Sequence, residues 1–193
     1  MQEEIFSAEE GLQVIRSMIN KTKENMGDNS IYFLMWGWLV LIACLLQYFL
    51  LVIIKYRYHY LAWSIIIVGI VFSILYTAKQ KKQATVKTYI GDSMSILWTG
   101  MSFSFMAIAF IFAATGWEHA YPIYILLYAT GTFVSGGFIK FRPLQVGGAA
   151  CWILAIAAAY ASYQNQILLT AASILVSYII PGYLLKNKYR KTN

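Results

Sequence analysis

Six long apolar runs, separated by short polar stretches, organise this chain: residues 31–54, 61–77, 94–115, 121–139, 144–163 and 166–185. None contains Lys, Arg, Asp, Glu or His. A bilayer core about 30 Å thick is crossed by roughly 20 apolar residues in helical form, so runs of 17–24 residues predict six membrane spans. A spanning segment must satisfy its backbone internally, and a helix does so within one segment. The predicted fold class is therefore all-α, a polytopic integral membrane protein with six transmembrane helices. The runs take up 122 of the 193 residues, which leaves no room for a separate soluble domain. The chain divides into a cytoplasmic arm (1–30), a six-helix domain (31–185) and a basic tail (186–193).

Charge orients the spans. Only 12% of residues are charged, against about 25% in soluble domains, and the mean hydropathy is +0.59. The net charge of +7 raises the question of nucleic acid, but its placement answers it. Alternating sides along six spans puts 13 of the 15 Lys and Arg on one side and only Lys55 and Arg57 on the other. Basic residues collect in cytoplasmic loops, so both termini are expected in the cytoplasm and no nucleic acid is expected. The cytoplasmic basic face comprises Lys79, Lys81, Lys82, Lys87, Lys186, Lys188, Arg190 and Lys191, suited to anionic lipid or an acidic partner surface. Aromatic belts mark the outer boundary at Tyr56, Tyr58, Tyr60, Trp63, Trp117, Tyr121, Tyr124, Tyr160 and Tyr163. The acidic start of the chain lacks the basic and short apolar regions of a cleavable signal, so the first run is expected to act as an uncleaved anchor.

The arm predicts an amphipathic surface helix over residues 7–26. Ser7 and Glu10 form a capping box, and Leu12, Ile15, Met18, Ile19 and Met26 share one helical face. Its six acids outnumber its three bases, whereas helices that bind anionic lipid are basic on their polar face. Docking on the chain's own basic loops or on a partner is the sharper reading; an interfacial helix with solvated charges is the plainer one.

Within the membrane, the first and third runs align without gaps at Asn29/Asp92, Ser30/Ser93, Leu34/Leu97 and Gly37/Gly100. The fourth and sixth align at 125–135 and 167–177. Three two-helix hairpin repeats follow from this alignment, although the restricted alphabet of membrane helices yields such matches by chance. Small residues crowd the last three runs, where they permit close helix approach. Pro181 is expected to kink or end the sixth helix.

Candidate sites are few. Trp36, Trp38, Trp98 and Trp152 fall at similar depth in runs that start on the inner side and suggest an inner-half aromatic pocket for a hydrophobic ligand; rings that merely fill space or face lipid are the commoner use of such stripes. Thr99, Ser102, Thr130, Thr132, Ser135 and Gly136 suggest either a polar path for a neutral solute or helix packing. Gln47 and Ser104 are also deep polar groups. Cys44 and Cys151 are expected to be small packing residues. No catalytic residues, metal site or cofactor are expected. His59, His119 and Glu118 are too few for a convincing metal site. An intramembrane serine protease needs a basic partner for its Ser, and no span holds a His. Ion-coupled transport leaves carboxylates or His within spans, and none is present.

Six spans in 193 residues, paired as hairpins, resemble in architecture the small six-span acid-resistance membrane proteins of bacteria; no motif is shared and no residue roles carry over. The resemblance implies a bacterial cytoplasmic membrane. The expected function is non-enzymatic: an accessory, regulatory or stress-related membrane protein acting through a protein partner, a second copy or a lipid-like ligand. The alternative is a passive channel or uniporter for a small neutral solute; a membrane-embedded enzyme comes last.

Overall fold

A computed structural model describes residues 30–83 and 89–190. The helical arm expected over residues 7–26 lies outside the described residues, as do Lys87 and Lys191. The described residues are helical, with no strand among them. Helix α1 (Ser30–Ile53) ends in a π turn over Phe49–Ile53. A 3₁₀ stretch, His59–Ile65, leads into α2 (Ile66–Gln83). Then come α3 (Tyr89–Thr115), α4 (Ala120–Phe138) and α5 (Arg142–Ala159). The last span runs through α6 (Tyr163–Ile174), a π turn (Leu175–Ile179) and α7 (Ile180–Arg190).

Five of these segments are long and apolar enough to cross a membrane: Ser30–Ile53, His59–Lys79, Ile90–Thr115, Arg142–Ala159 and Tyr163–Lys188. Helix α4 is of similar length, 19 residues, but Tyr121, Tyr124, Tyr128 and three glycines dilute its apolar character.

The chain stops its helices with local devices that the sequence supplies. Lys55 and Lys140 take φ of 57° and 51°, the left-handed turn that closes a helix C-terminus. Beyond Lys140 the Phe141 N–H donates back to the Gly136 carbonyl at 2.9 Å. A lysine at this position sets its charge against the negative end of the helix dipole at the cost of a backbone conformation that favours glycine. Gly116, at φ +100°, ends α3. Pro143 sits in the first turn of α5, where its missing N–H costs nothing. The sixth helix does not end at Pro181. The π turn immediately before it widens the backbone, and the helix then continues to Arg190; a π turn is a known way to absorb a residue that cannot hold the regular ladder.

Neighbouring helices pair antiparallel. Tyr32 and Trp36 of α1 bond to Thr77 and Ser73 of α2. Phe105 of α3 packs on Tyr124 and Tyr128 of α4. Cys151 of α5 donates to the Ser173 carbonyl of α6 at 3.3 Å. Among helices α2 to α7 the most extensive packing joins α4 to α5, through a glycine crossing. A Cβ at Gly148 would come within 2.8 Å of the Phe133 nitrogen and 2.9 Å of the Ala129 oxygen; one at Gly136 would come within 2.8 Å of the Gln145 nitrogen. Such backbone proximity is what small residues provide in membrane helices.

Burial is unequal. The apolar stretch of the α6–α7 span is 56% buried, that of α3 only 6% and that of α2 only 11%. Helices α1, α4, α5 and α6 supply most of the interior; α2 and α3 flank it.

Candidate functional site

The interior holds two polar centres, one near each end of the bundle. One is built around Gln47, which has 1% of its surface exposed. Its position late in α1 brings the amide against three other segments. The Trp63 indole N–H donates to Gln47 Oε1 at 2.5 Å, and the Tyr121 hydroxyl donates to the same oxygen. Gln47 Nε2 meets His59 Nδ1 at 3.2 Å and donates to the Tyr163 hydroxyl at 3.4 Å. One side chain thus ties α1 to the 3₁₀ stretch, α4 and α6. Burying an amide without partners costs several kcal/mol in an apolar medium; here every polar atom of the amide is engaged.

The other centre is aromatic and hydroxylic. Tyr178, on the π turn, is edge-on to Phe33 of α1 (5.5 Å between centroids), Trp98 of α3 (6.2 Å) and Tyr128 of α4 (5.6 Å). Thr132 and Ser135, one turn apart on α4, are completely buried. The Thr132 and Tyr178 hydroxyls come within reach of each other, but without the geometry of a formed hydrogen bond. The oxygens of Thr132, Ser135 and Tyr178 are left without partners. Along α6 and the π turn that follows it, Gln166, Thr170, Ser173 and Ser177 form a buried polar stripe. The last three hydroxyls donate to carbonyls of their own helix at 2.7–2.8 Å, while Gln166 Nε2 donates to the Ala161 carbonyl and its Oε1 is unpartnered.

The residues singled out from the sequence fall in separate places. Trp36 faces α2, donating to Ser73 Oγ at 3.2 Å. Trp38 is exposed and donates to the Tyr183 hydroxyl at 3.3 Å. Trp152 stacks on Phe133 at the α4–α5 contact. Trp98 alone of the four touches the Tyr178 cluster among these ring contacts. Of the hydroxyl set, Thr99, Ser102 and Thr130 are exposed and donate to the carbonyl four residues back, whereas Thr132 and Ser135 turn inward and Gly136 sits in the glycine crossing. On the basic face, Lys79, Lys186 and Lys188 are exposed, and the Lys188 ammonium lies 5.5 Å from the Phe141 ring centre. The side chains of Lys81, Lys82 and Arg190 lie outside the described residues. Cys44 and Cys151 are buried and unpaired.

Two features were missed in the sequence. Trp63, Tyr121 and Tyr163 read as outer belt residues, yet all three turn onto Gln47; a lone amide in an apolar run was the signal that rings with polar edges would gather there. Tyr178 is not among the site residues the sequence suggests; the Pro181 three positions on is the hint of an irregular turn.

The loop between α3 and α4 borders a shallow hollow of about 430 Å³ lined by Phe112, Thr115, Gly116, Glu118 and His119. Among the described residues no three His, Cys, Asp or Glu come together as a metal site. No family model, curated protein or solved structure matches this chain.

Proposed function

We propose that this is a non-enzymatic accessory or regulatory protein of a bacterial cytoplasmic membrane, with six spans as three hairpins and both termini in the cytoplasm, and that it acts through a protein partner seated on α3. The observation that carries the reading is the outward surface of α3. It is 6% buried within the chain, yet it is not uniformly aliphatic: Thr99, Gly100 and Ser102 interrupt it, and a Cβ at Gly100 meets nothing within 4 Å. The lipid-side surface of α5 is by contrast marked by Val146, Ile153 and Ile156. Small and hydroxylated positions on a spanning helix are where another helix approaches closely. Large exposed side chains flank them, Ile96, Phe103 and Phe110, and supply contact area. The basic inner face adds a charged surface at the same side of the membrane as the acidic arm.

The test is the size of the assembly. Extracted in mild detergent, the native chain should migrate as a complex larger than its 21.9 kDa plus micelle, and Gly100→Leu should convert it to the monomer. A wild-type chain already monomeric at low detergent contradicts the proposal.

A second reading, passage of a small neutral solute, is favoured by the hydroxyl stripe on α6 and the unpartnered oxygens of α4. The close crossing of α5 on α4 and on the π turn weighs against an open path.

A further inference from the structure

We infer that Thr132, Ser135 and Tyr178 form a buried binding site for a small neutral hydrogen-bonding molecule of about the size of water. Three observations meet there. First, the hydroxyls of Thr99, Ser102, Ser104, Thr115 and Thr130 each donate to a carbonyl of their own helix four residues back, the local bond by which a Ser or Thr in a helix satisfies itself. Thr132 and Ser135 do not, although both are fully buried. Second, Tyr178, 3% exposed, brings a third unpartnered hydroxyl toward Thr132 from the facing segment. Third, that segment is a π turn, a geometry often found at functional positions. Its backbone is held closely by α5: a Cβ at Gly147 would lie 2.7 Å from the Val176 oxygen.

The chemistry defines the occupant. Each hydroxyl both donates and accepts, so three of them match a molecule that does the same, and buried water makes about three such bonds. The apolar runs that hold these groups contain no Lys, Arg, Asp, Glu or His, and an ion would carry a large desolvation penalty. The rings of Phe33, Trp98 and Tyr128 pack edge-on around the Tyr178 ring, and the full burial of Thr132 and Ser135 leaves room only for a small guest. The site joins α4 to the irregular turn of the last span, so its occupancy would fix their register.

Two measurements decide it. Pulsed X-ray hydroxyl labelling of the intact protein in detergent, after rapid mixing into H₂¹⁸O, reads bound water beside a buried ring. The site predicts label on Tyr178 despite its burial, with ¹⁸O entering more slowly than at exposed Tyr160. An unlabelled Tyr178, or one exchanging as fast as Tyr160, overturns it. Separately, Thr132→Val, Ser135→Ala and Tyr178→Phe are compared singly and together for reversible unfolding. A shared guest loses a bond in each single variant, raising the unfolding constant roughly 5-fold or more, and the triple variant is less destabilised than the three singles combined. Hydroxyls that are merely unsatisfied give the opposite sign: each single variant is more stable than the parent.

Discussion

Gly148→Ala tests the helix crossing at the centre of the bundle. The added methyl group would lie 2.8 Å from the Phe133 nitrogen, 2.9 Å from the Ala129 oxygen and 2.9 Å from the Phe133 Cβ. Ordinary contact between such atoms is about 3.5–4.0 Å, so α5 must retreat from α4 by roughly 0.6–1 Å. Two of the three obstructing atoms are backbone and have no rotamer to change. The retreat loosens the contacts around Ala129, Cys151 and Ala155, which share a buried cluster. Overpacking of this kind costs about 1–3 kcal/mol. Gly100→Ala is the control: its Cβ meets nothing within 4 Å, and the change from glycine to alanine in a helix interior is favourable by up to about 1 kcal/mol. Both variants are measured by reversible unfolding in mixed micelles at detergent concentrations that dissociate any partner, so that only the chain's own packing is read. Equal stability of the two variants, or a Gly148→Ala protein at parental stability, would refute the backbone-contact account of the crossing.

Three further outcomes follow from other parts of the molecule. Gln47→Leu strands the Trp63 N–H and the Tyr121 hydroxyl and should lower stability by about 1–3 kcal/mol, with a shift in Trp63 emission; unchanged stability would remove Gln47 as a tie. Lys140→Gly and Lys140→Ile both remove the charge, but φ of 51° suits only glycine, so the glycine variant should be the more stable by about 1–2 kcal/mol in the same unfolding assay. A Tyr32→Cys, Thr77→Cys pair replaces two groups whose oxygens are 2.8 Å apart and should be joined rapidly by a short bifunctional reagent, whereas Tyr32→Cys with Tyr60→Cys, at opposite ends of the hairpin, should not; the reverse result would break the α1–α2 pairing.

The helical class and the hairpin order were legible because charge exclusion and run length act through the bilayer, a constraint felt by every residue of a span. Burial was not legible, because every run looks apolar whether it faces lipid or protein. α3 has the longest helix and a strongly apolar sequence, yet it is the least buried; α4, with its tyrosines and glycines, lies at the centre. Depth alone grouped the four Trp residues, but depth does not fix the direction in which a side chain leaves its helix, and the rings diverge to α2, α4, α7 and the Tyr178 cluster. Glycine spacing in the fourth and fifth runs did signal the close crossing, since small residues have a steric meaning independent of polarity. The Gln47 tie needed the fold, because its partners come from positions 59, 63, 121 and 163.

The most direct test of the partner reading places a photo-reactive residue at Phe103 or Phe110 on α3, and at Ile153 on α5 as the lipid-facing control, in native membranes. All three side chains are well exposed in the isolated chain. A protein seated on α3 gives an adduct of one constant mass from both α3 positions, abolished by Gly100→Leu, and only lipid adducts from position 153. Lipid adducts alone from all three positions would contradict it.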